Sequence, residues 1–371
     1  MFPALAVAEV LARRGLTPVL VTDERGDRYA APFGEVEKHV LPAANVTRGK
    51  LSGGVNLARA TVAAARLFGR TRPLAVMGFG GYATLPALIA ARLRGIPTCV
   101  HEQNAVLGRV NRVAAGFIDR IALSFPDTSR LKPAHAARTT VTGNPVRAEV
   151  VEAVADYAAP VDGGPFRVLV LGGSQGASVL GEVVPAALAA LPEVLRGRLA
   201  VTQQCRPEDL EKVRGTYAAA GIEAELAGFF ADVALRLAQT HLVIARAGAS
   251  TISELEVAGR PAVLVPLPGA MDDHQTANAA GLAATGGAWV MPQPAFTAGS
   301  LAERMRALME GPEALVAAAA AARAQARPEA AERLADLVEG LVRDRAGKAR
   351  RGTAGASARV LLRVQAGEGA A

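Results

Sequence analysis

The chain has 371 residues, a formal net charge of +7, 51% hydrophobic residues and only 4% aromatic residues. This length exceeds what a single hydrophobic core usually serves, so two domains are expected. No apolar run approaches the roughly 20 residues of a membrane-spanning helix, and seven basic residues lie within 343–371 against Asp344 and Glu368. The positive charge therefore does not by itself indicate nucleic-acid binding.

The first half of the chain alternates predicted helices with predicted strands, because apolar residues recur there first at helical and then at strand spacing. Its predicted elements, in order, are a helix at 2–14, a strand at 17–23, a helix at about 56–68, a strand at 74–82, a helix at 84–94, a buried strand at 96–104, a helix at about 108–116 and a strand at 120–125. Since the helix at 2–14 has neither a preceding strand nor a capping residue, a strand upstream of it is expected to be missing.

The second half repeats the same alternation after a change of composition. Residues 148–165 lose the pattern and end in Asp-Gly-Gly-Pro, which predicts a linker. Strand, small-residue loop and helix then follow each other at 166–178 and at 241–259, and a further strand at 261–268 precedes a helix from about His274. The basic tail is rich in Ala, Gly and Arg, a composition typical of disorder.

This order of elements predicts an α/β protein made of two doubly wound, Rossmann-like domains. Its predicted parts are an N-terminal domain at 1–147, a linker at 148–165, a C-terminal domain at 166–342 and a disordered tail at 343–371. The two cysteines, Cys99 and Cys205, each lie in an apolar stretch. They argue against a disulfide framework and for the cytoplasm.

Ligands of open parallel sheets bind at the carboxyl ends of the strands, where helix N-termini offer free N–H groups. The first candidate is the loop Gly172-Gly173-Ser174-Gln175-Gly176, which follows the strand that begins at 166. Its glycines would let backbone amides approach a diphosphate, and Ser174 would add a hydrogen bond. A tight turn that requires glycine explains the same residues equally well.

Two further candidates follow later strands of the second half. Glu254 lies one turn inside the helix that begins near Gly248 and would accept both hydroxyls of a ribose, although a capping box between Thr251 and Glu254 needs no ligand. Gln275 and Asn278 are three residues apart and face one way on a helix. They would bind a sugar's hydroxyls, unless they belong to a solvated helix face.

Polar residues also end a buried strand of the first half. His101, Glu102 and Asn104 stand where the sheet is expected to meet a cleft between the domains. They indicate a functional site. The alternative is a polar loop without a ligand, in which His101 and Glu102 form a hydrogen bond with each other. Arg147, at the domain junction, would reach a phosphate, or would be an ordinary surface arginine.

A membrane-facing surface is expected on the helix at 56–68 and just beyond it. Arg59, Arg66 and Arg70 form one stripe of a helical wheel, and Phe68 lies on the apolar side. Arginine beside exposed apolar residues suits an anionic lipid surface, whereas a sheet-packing helix with a solvated face is the alternative. No spacing typical of metal ligands occurs among the histidines and cysteines.

Six segments in this order resemble those of the MurG family, GT-B enzymes of glycosyltransferase family 28. They are GFGGY (78–82), HEQNA (101–105), TGNPVR (142–147), GGSQGA (172–177), RAGASTISELEVAG (246–259) and DDHQTANA (272–279). The resemblance covers about residues 2–342 and is far more specific than any one motif. It implies a GT-B fold with two Rossmann-like domains.

The resemblance also implies an activity and its partners. GlcNAc would pass, with inversion, from UDP-GlcNAc to the MurNAc 4-hydroxyl of undecaprenyl-pyrophosphoryl-MurNAc-pentapeptide (lipid I), giving lipid II for peptidoglycan synthesis at the cytoplasmic face of the membrane. No cofactor or catalytic cation is implied. The implied donor contacts are Ser174 and its glycine loop at the phosphates, Phe230 beside the uracil, Glu254 at the ribose, Gln275 and Asn278 at the GlcNAc, and Arg147 and Asn104 near the donor.

One departure from the family pattern concerns the start of the chain. Family members begin with a strand and a GGTGGH-like loop whose histidine is a proposed base, and Met1 stands in its place here. A start site assigned too late and a true truncation both account for this, and Glu102 or His101 is then the nearest remaining candidate base. The alternatives are another GT-B enzyme, such as a UDP-GlcNAc 2-epimerase or a lipid glycosyltransferase, and a UDP-GlcNAc-binding module without catalysis.

Overall fold

The structure, a computed structural model, describes residues 2–43, 50–173, 176–349 and 359–363. It consists of two compact units, of which the first contains the chain up to Val146 and again from Glu329, and the second runs from Arg147 to Pro328. Each unit is built on its own sheet, and every strand pair in both sheets is parallel. The predicted α/β class with two Rossmann-like domains is thus confirmed.

The helices and strands alternate along most of the chain. The α-helices of the described residues are α1 (Phe2–Arg13), α2 (Glu24–Asp27), α3 (Lys50–Thr71), α4 (Thr84–Leu93), α5 (Arg109–Ala114), α6 (Ala148–Glu152), α7 (Ser178–Ala189), α8 (Glu193–Arg196), α9 (Leu210–Ala219), α10 (Val233–Gln239), α11 (Ala249–Ala258), α12 (His274–Ala284), α13 (Ala298–Glu310), α14 (Glu313–Ala324) and α15 (Ala330–Ala349). The strands are β1 (Thr17–Asp23), β2 (Glu37–Leu41), β3 (Ala75–Gly78), β4 (Thr98–Glu102), β5 (Arg120–Leu123), β6 (Thr139–Val141), β7 (Phe166–Leu171), β8 (Leu199–Gln204), β9 (Glu223–Ala227), β10 (Leu242–Ala245), β11 (Ala262–Leu264), β12 (Ala288–Val290) and β13 (Arg359–Arg363). No helix in these ranges has the length and apolarity needed to cross a membrane.

The sheet of the first unit has the strand order β2-β1-β13-β3-β4-β5-β6. Successive side chains of a strand point to opposite faces, so the two faces of this sheet have separate cores. Leu20 and Met77 pack on one face with α1 and α15, and Val19 and Val76 pack on the other with α3 and α4. Because both faces are covered, every residue of β3 and β4 is buried, as is usual in parallel sheets.

β13 fills the sheet position between β1 and β3. Thr17 is paired with Arg359 on one side of it, and Ala75 with Val360 on the other. The predicted disorder of 343–371 is therefore wrong for residues 343–349, which end α15, and for 359–363. The backbone N–H and C=O groups of β13 are satisfied by hydrogen bonds to the two parallel strands beside it. The composition of the tail alone does not reveal this pairing. The rest of this predicted tail lies outside the described residues.

The sheet of the second unit has the order β12-β11-β10-β7-β8-β9. Its core includes Phe166, Val168 and Val170 of β7 together with apolar residues of α7 and α13. From β7 the chain continues to β8 and β9 on one side and then returns to β10 on the other. The strand order thus reverses between β7 and β10, and this is the place where doubly wound sheets bind their ligands.

Two predicted boundaries are wrong. The predicted linker at 148–165 begins with α6 and then packs on the second unit, where the Tyr157 hydroxyl donates to the His241 carbonyl at 3.0 Å. The predicted second domain ended at 342, whereas α15 belongs to the first unit. The reason is its apolar face, because Leu334 and Val338 lie in one core with α1.

Candidate active site

Three helices begin at the carboxyl edge of the second sheet, namely α7 after β7, α11 after β10 and α12 after β11. Their N-cap residues are Ala177, Gly248 and Asp273, and none makes a side-chain capping bond within the described residues. By contrast, Thr297 and Ser300 form a full capping box at α13. The first N–H groups of a helix need an acceptor, so the N-termini of α7 and α11 remain suited to an anion. The first N–H of α12, that of His274, instead donates to the Met271 carbonyl, and Asp272 and Asp273 precede it.

The glycine loop after β7 needs glycine for steric reasons. A Cβ on Gly172 would lie 2.6 Å from the Ala177 backbone nitrogen, and a Cβ on Gly176 would lie 2.5 Å from Cγ of Arg206. Gly173 and Gly176 also have positive φ angles, of 80° and 71°. The tight turn proposed as the alternative is therefore present, and phosphate contact stays a prediction for the loop. Ser174 and Gln175 lie outside the described residues.

Gln275 and Asn278 share one face of α12 and hold the loop between β10 and α11. Gln275 Oε1 accepts from the backbone N–H of Ala247 at 3.2 Å and from that of Leu267 at 3.0 Å. Asn278 is fully buried and donates through Nδ2 to the Ala247 carbonyl at 3.2 Å. A solvated helix face is thus ruled out. Gln275 Nε2 has no partner among the described residues and can donate to a ligand.

Glu254 is bound by Arg147 rather than by a helix cap. Arg147 Nε and Nη2 donate to the two Glu254 oxygens at 2.9 and 3.0 Å, in a pair whose side chains are 24% and 14% exposed. Burial raises the pKa of Glu254, and the hydrogen bond from Arg147 opposes this rise. The capping-box alternative is wrong, because the N-cap of α11 is Gly248 and Thr251 lies inside the helix.

Phe230 is 6% exposed, and its ring is covered by Arg236, whose Cζ lies 4.3 Å from the ring centroid. Arg236 is itself held by Asp232 and Glu225. The neighbouring Phe229 is 76% exposed and therefore offers the accessible aromatic face of this loop. Contact of Phe230 with a uracil stays a prediction, and the sequence analysis overlooked Phe229.

His101, at the end of β4, is fully buried. Its Nε2 donates to the Gly143 carbonyl at 3.0 Å and lies 3.1 Å from Ser124 Oγ, while Nδ1 is 3.2 Å from Gln103 Nε2. Burial lowers the pKa of His101 to about 4, although the bond to Gly143 opposes this. The ring is thus neutral near pH 7 and ties β4 to the loop after β6.

Glu102 is 3% exposed and closes the loop between β4 and α5. Its carboxylate accepts from the backbone N–H groups of Asn104 at 3.0 Å and Gly108 at 2.7 Å, and from Asn111 Nδ2 at 2.8 Å. Burial raises its pKa, and these hydrogen bonds oppose the rise. His101 and Glu102 therefore do not satisfy each other, as the polar-loop alternative required. Glu102 instead fixes the position of Asn104.

Asn144 is a second residue that the sequence analysis overlooked. It is 3% exposed, and both polar atoms of its side chain lack a hydrogen-bond partner among the described residues. A buried amide without partners is costly, so this side chain is suited to bind a ligand or water. The signal available in the sequence was its place between Gly143 and Pro145, in the segment that also contains Arg147.

The arginine stripe of α3 is exposed as predicted, at Arg59, Arg66 and Arg70. Val55 and Val62 are 58% and 49% exposed, so apolar side chains lie on the surface of the same helix. The predicted surface role of Phe68 is wrong, because this ring is 2% exposed and belongs to the core beneath α3. Helical spacing placed Phe68 opposite the arginines, and that side of α3 faces the sheet.

No group of histidine, cysteine and carboxylate side chains suited to a metal ion occurs in the part of the chain that the structure describes.

The comparisons with known proteins agree over nearly the whole chain. The models of the glycosyltransferase family 28 N-terminal and C-terminal domains match residues 1–123 and 167–334. A relative from Paramagnetospirillum magneticum is 54% identical, over 94% of this chain and 95% of its own, and one from Rhodospirillum centenum is 51% identical, over 92% and 91%. Both are named UDP-N-acetylglucosamine–N-acetylmuramyl-(pentapeptide) pyrophosphoryl-undecaprenol N-acetylglucosamine transferase.

Among solved structures, that of Acinetobacter baumannii MurG is similar, with a TM-score of 0.77 and 32% sequence identity. The match covers 91% of this chain and 95% of the other. The two family models extend over parts of both units, and the two relatives and the solved structure each cover more than nine tenths of this chain. The chain therefore belongs to glycosyltransferase family 28.

Proposed function

We propose that this chain transfers GlcNAc from UDP-GlcNAc to the MurNAc 4-hydroxyl of undecaprenyl-pyrophosphoryl-MurNAc-pentapeptide, with inversion at the anomeric carbon. The observation that carries the proposal is the pair of helix N-termini without side-chain caps, those of α7 and α11, beside the strand-order reversal of the second sheet. The names of the two relatives point to this donor and this acceptor. The product is lipid II, a precursor of peptidoglycan.

The second unit binds the donor in this proposal. The diphosphate lies against the glycine loop and the N-termini of α7 and α11, where backbone N–H groups stabilise the charge that develops on departing UDP. On donor binding, the hydrogen bonds between Arg147 and Glu254 break. The Glu254 carboxylate then accepts hydrogen bonds from the ribose hydroxyls, and the Arg147 guanidinium binds the diphosphate. Gln275 donates to the GlcNAc through Nε2, while its Oε1 keeps the loop in place.

The first unit binds the acceptor. We assign His101 and Glu102 to positioning rather than to proton transfer, because their nitrogen and oxygen atoms are already committed to neighbouring groups. Glu102 thereby orients Asn104 at the end of β4. The exposed arginines and valines of α3 bind the cytoplasmic face of the membrane, from which the lipid acceptor is presented.

A transfer assay tests the proposal. The chain is incubated with radiolabelled UDP-GlcNAc and lipid I in detergent, and we expect one UDP released for each labelled, β-linked disaccharide formed. Binding of UDP-GlcNAc without transfer would support a binding module instead. Conversion of UDP-GlcNAc to its 2-epimer without acceptor would support the epimerase alternative. Either result would refute the proposed transfer.

A further inference from the structure

A cavity lies at the amino-terminal edge of the second sheet, opposite the edge that carries the candidate active site. Arg167 is the second residue of β7, and His241 directly precedes β10. At about 3.3 Å per residue, the length of β7 separates this edge from the glycine loop by roughly 15 to 20 Å. The cavity has a volume of about 200 Å³, far more than one water molecule occupies, and is lined by Ala158, Arg167, Ala238, Gln239, Thr240 and His241.

His241 offers a hydrogen-bond donor in this cavity. The residue is 5% exposed, and its Nδ1 accepts from the backbone N–H of Arg167 at 3.0 Å. In a neutral ring the proton is then on Nε2, and Nε2 has no partner among the described residues. Burial and the charges of Arg167, Arg260 and Arg198 lower the pKa of His241 to about 4. The ring is thus a neutral donor near pH 7.

Arg167 supplies the available positive charge. Its guanidinium makes no ion pair or hydrogen bond with any residue that the structure describes. The two neighbouring arginines are committed elsewhere: Arg198 donates to the Gly164 carbonyl at 2.9 Å, and Arg260 donates to the Leu237 carbonyl at 2.7 Å. Both still add to the positive potential around His241, and Asp156 is the carboxylate that acts on Arg260.

We propose that this cavity binds a small oxyanion, a phosphate or carboxylate group, between Nε2–H of His241 and the guanidinium of Arg167. The cavity is lined by two donors of this kind, one of them charged, and charged and neutral N–H donors together match the hydrogen-bonding chemistry that oxyanions require. The cavity wall at Ala158 belongs to the segment that leads from α6 into β7. The proposal does not depend on the transferase function, because the site is at the other end of the strands.

An NMR titration tests the site. Protein with ¹⁵N-labelled histidine is saturated with UDP and titrated with inorganic phosphate, and separately with acetate, at constant ionic strength. We expect a saturable shift of the His241 Nε2 signal with one of the two anions, and the responding anion identifies the group. In Arg167→Gln the dissociation constant should rise at least tenfold, whereas Arg306→Gln, which removes an exposed arginine of α13 outside the cavity, should leave it unchanged.

Arg167 is exposed on the surface of β7, so its replacement is not expected to prevent folding. The proposal is overturned if neither anion gives a saturable shift. It is also overturned if Arg167→Gln and Arg306→Gln bind the anion equally, because the response would then reflect general charge screening.

Discussion

At the scale of single residues, the pairing of Arg147 with Glu254 determines how a substitution will act. Replacement of Glu254 by Gln keeps the shape of the side chain but removes the acceptor charge that we assign to the ribose. We expect the dissociation constant of UDP-GlcNAc to rise about tenfold, equivalent to about 1.4 kcal/mol. Calorimetric titration of the variant measures this change.

Arg147→Gln tests the other half of the ion pair, and because we assign Arg147 to the diphosphate, it should also raise the dissociation constant of UDP-GlcNAc. If Glu254 serves only the pair, both variants will lower the free energy of unfolding and neither will change the affinity for UDP-GlcNAc. That result would contradict the assigned ribose contact.

His101 gives a pH dependence with a defined sign. Its pKa is about 4 in the folded protein and about 6.5 in an unfolded chain, so the unfolded state binds the proton first as the pH falls. The stability that the buried neutral ring provides is complete above pH 6.5 and is lost towards pH 4, with a magnitude of the order of 3 kcal/mol. NMR of the imidazole nitrogens should find a neutral His101 at pH 5.5. A protonation midpoint near 6.5 would show that the ring is not held as described.

Sequence spacing predicted local relations between residues and missed distant ones. Gln275 and Asn278 were expected on one face because they are three apart, and both do contact Ala247. Their common partner is about 30 residues away in the chain, and no spacing rule identifies it. Similarly, Thr251 was the partner of Glu254 in the capping-box alternative, whereas Arg147, its actual partner, is 107 residues away.

At the scale of elements, α3 carries the proposed contact with the membrane. Replacement of Arg59, Arg66 and Arg70 by Ser removes three exposed positive charges from one helix face. Each basic residue near an anionic surface contributes about 1 kcal/mol, so vesicle binding should fall by at least tenfold at low salt. Sedimentation with vesicles of anionic and of neutral phospholipid measures the loss.

The control replaces Arg214, Arg304 and Arg306, three exposed arginines of the second unit, by Ser. This variant has the same net charge as the α3 variant. Equal loss of vesicle binding in both would mean that total charge, and not the surface of α3, attracts the membrane.

β13 is the element whose removal should affect the first unit most selectively. A chain that ends at residue 357 lacks β13, and one that ends at residue 365 retains it. Because β13 pairs with β1 and β3, we expect amide exchange in these two strands to be at least tenfold faster in the shorter chain, with the second unit unchanged. Mass spectrometry of hydrogen exchange compares them. Equal exchange in the two chains would contradict the pairing.

Strong periodicity predicted the long central elements well, and β1 was expected at 17–23, where it lies. The strands β2, β6, β8, β9 and β12 were not predicted. Most of them lie towards the sheet edges, where partial burial weakens the apolar pattern. β13 was missed for another reason, since its place in the sheet is decided by neighbours that are hundreds of residues away in the chain.

At the scale of the whole molecule, the fold could be predicted because polar and small residues followed successive strands in both halves. The limits of the two units could not be predicted from the sequence. The reason is α15, which follows the second unit in the sequence but packs on α1 of the first unit. This packing depends on whether the apolar faces of α1 and α15 fit together, and sequence spacing does not show that. The family models do not depend on such packing, and they match long segments of both halves of the sequence.

The central claim is that a nucleotide diphosphate binds at the carboxyl edge of β7 and β10 in the second unit. A crystal structure with UDP tests this claim most directly. We predict phosphate oxygens within hydrogen-bonding distance of the backbone N–H groups at the start of α7 or α11, with the ribose hydroxyls at Glu254. Electron density for UDP at any other place, or a ribose that leaves the Arg147–Glu254 pair undisturbed, would contradict the account.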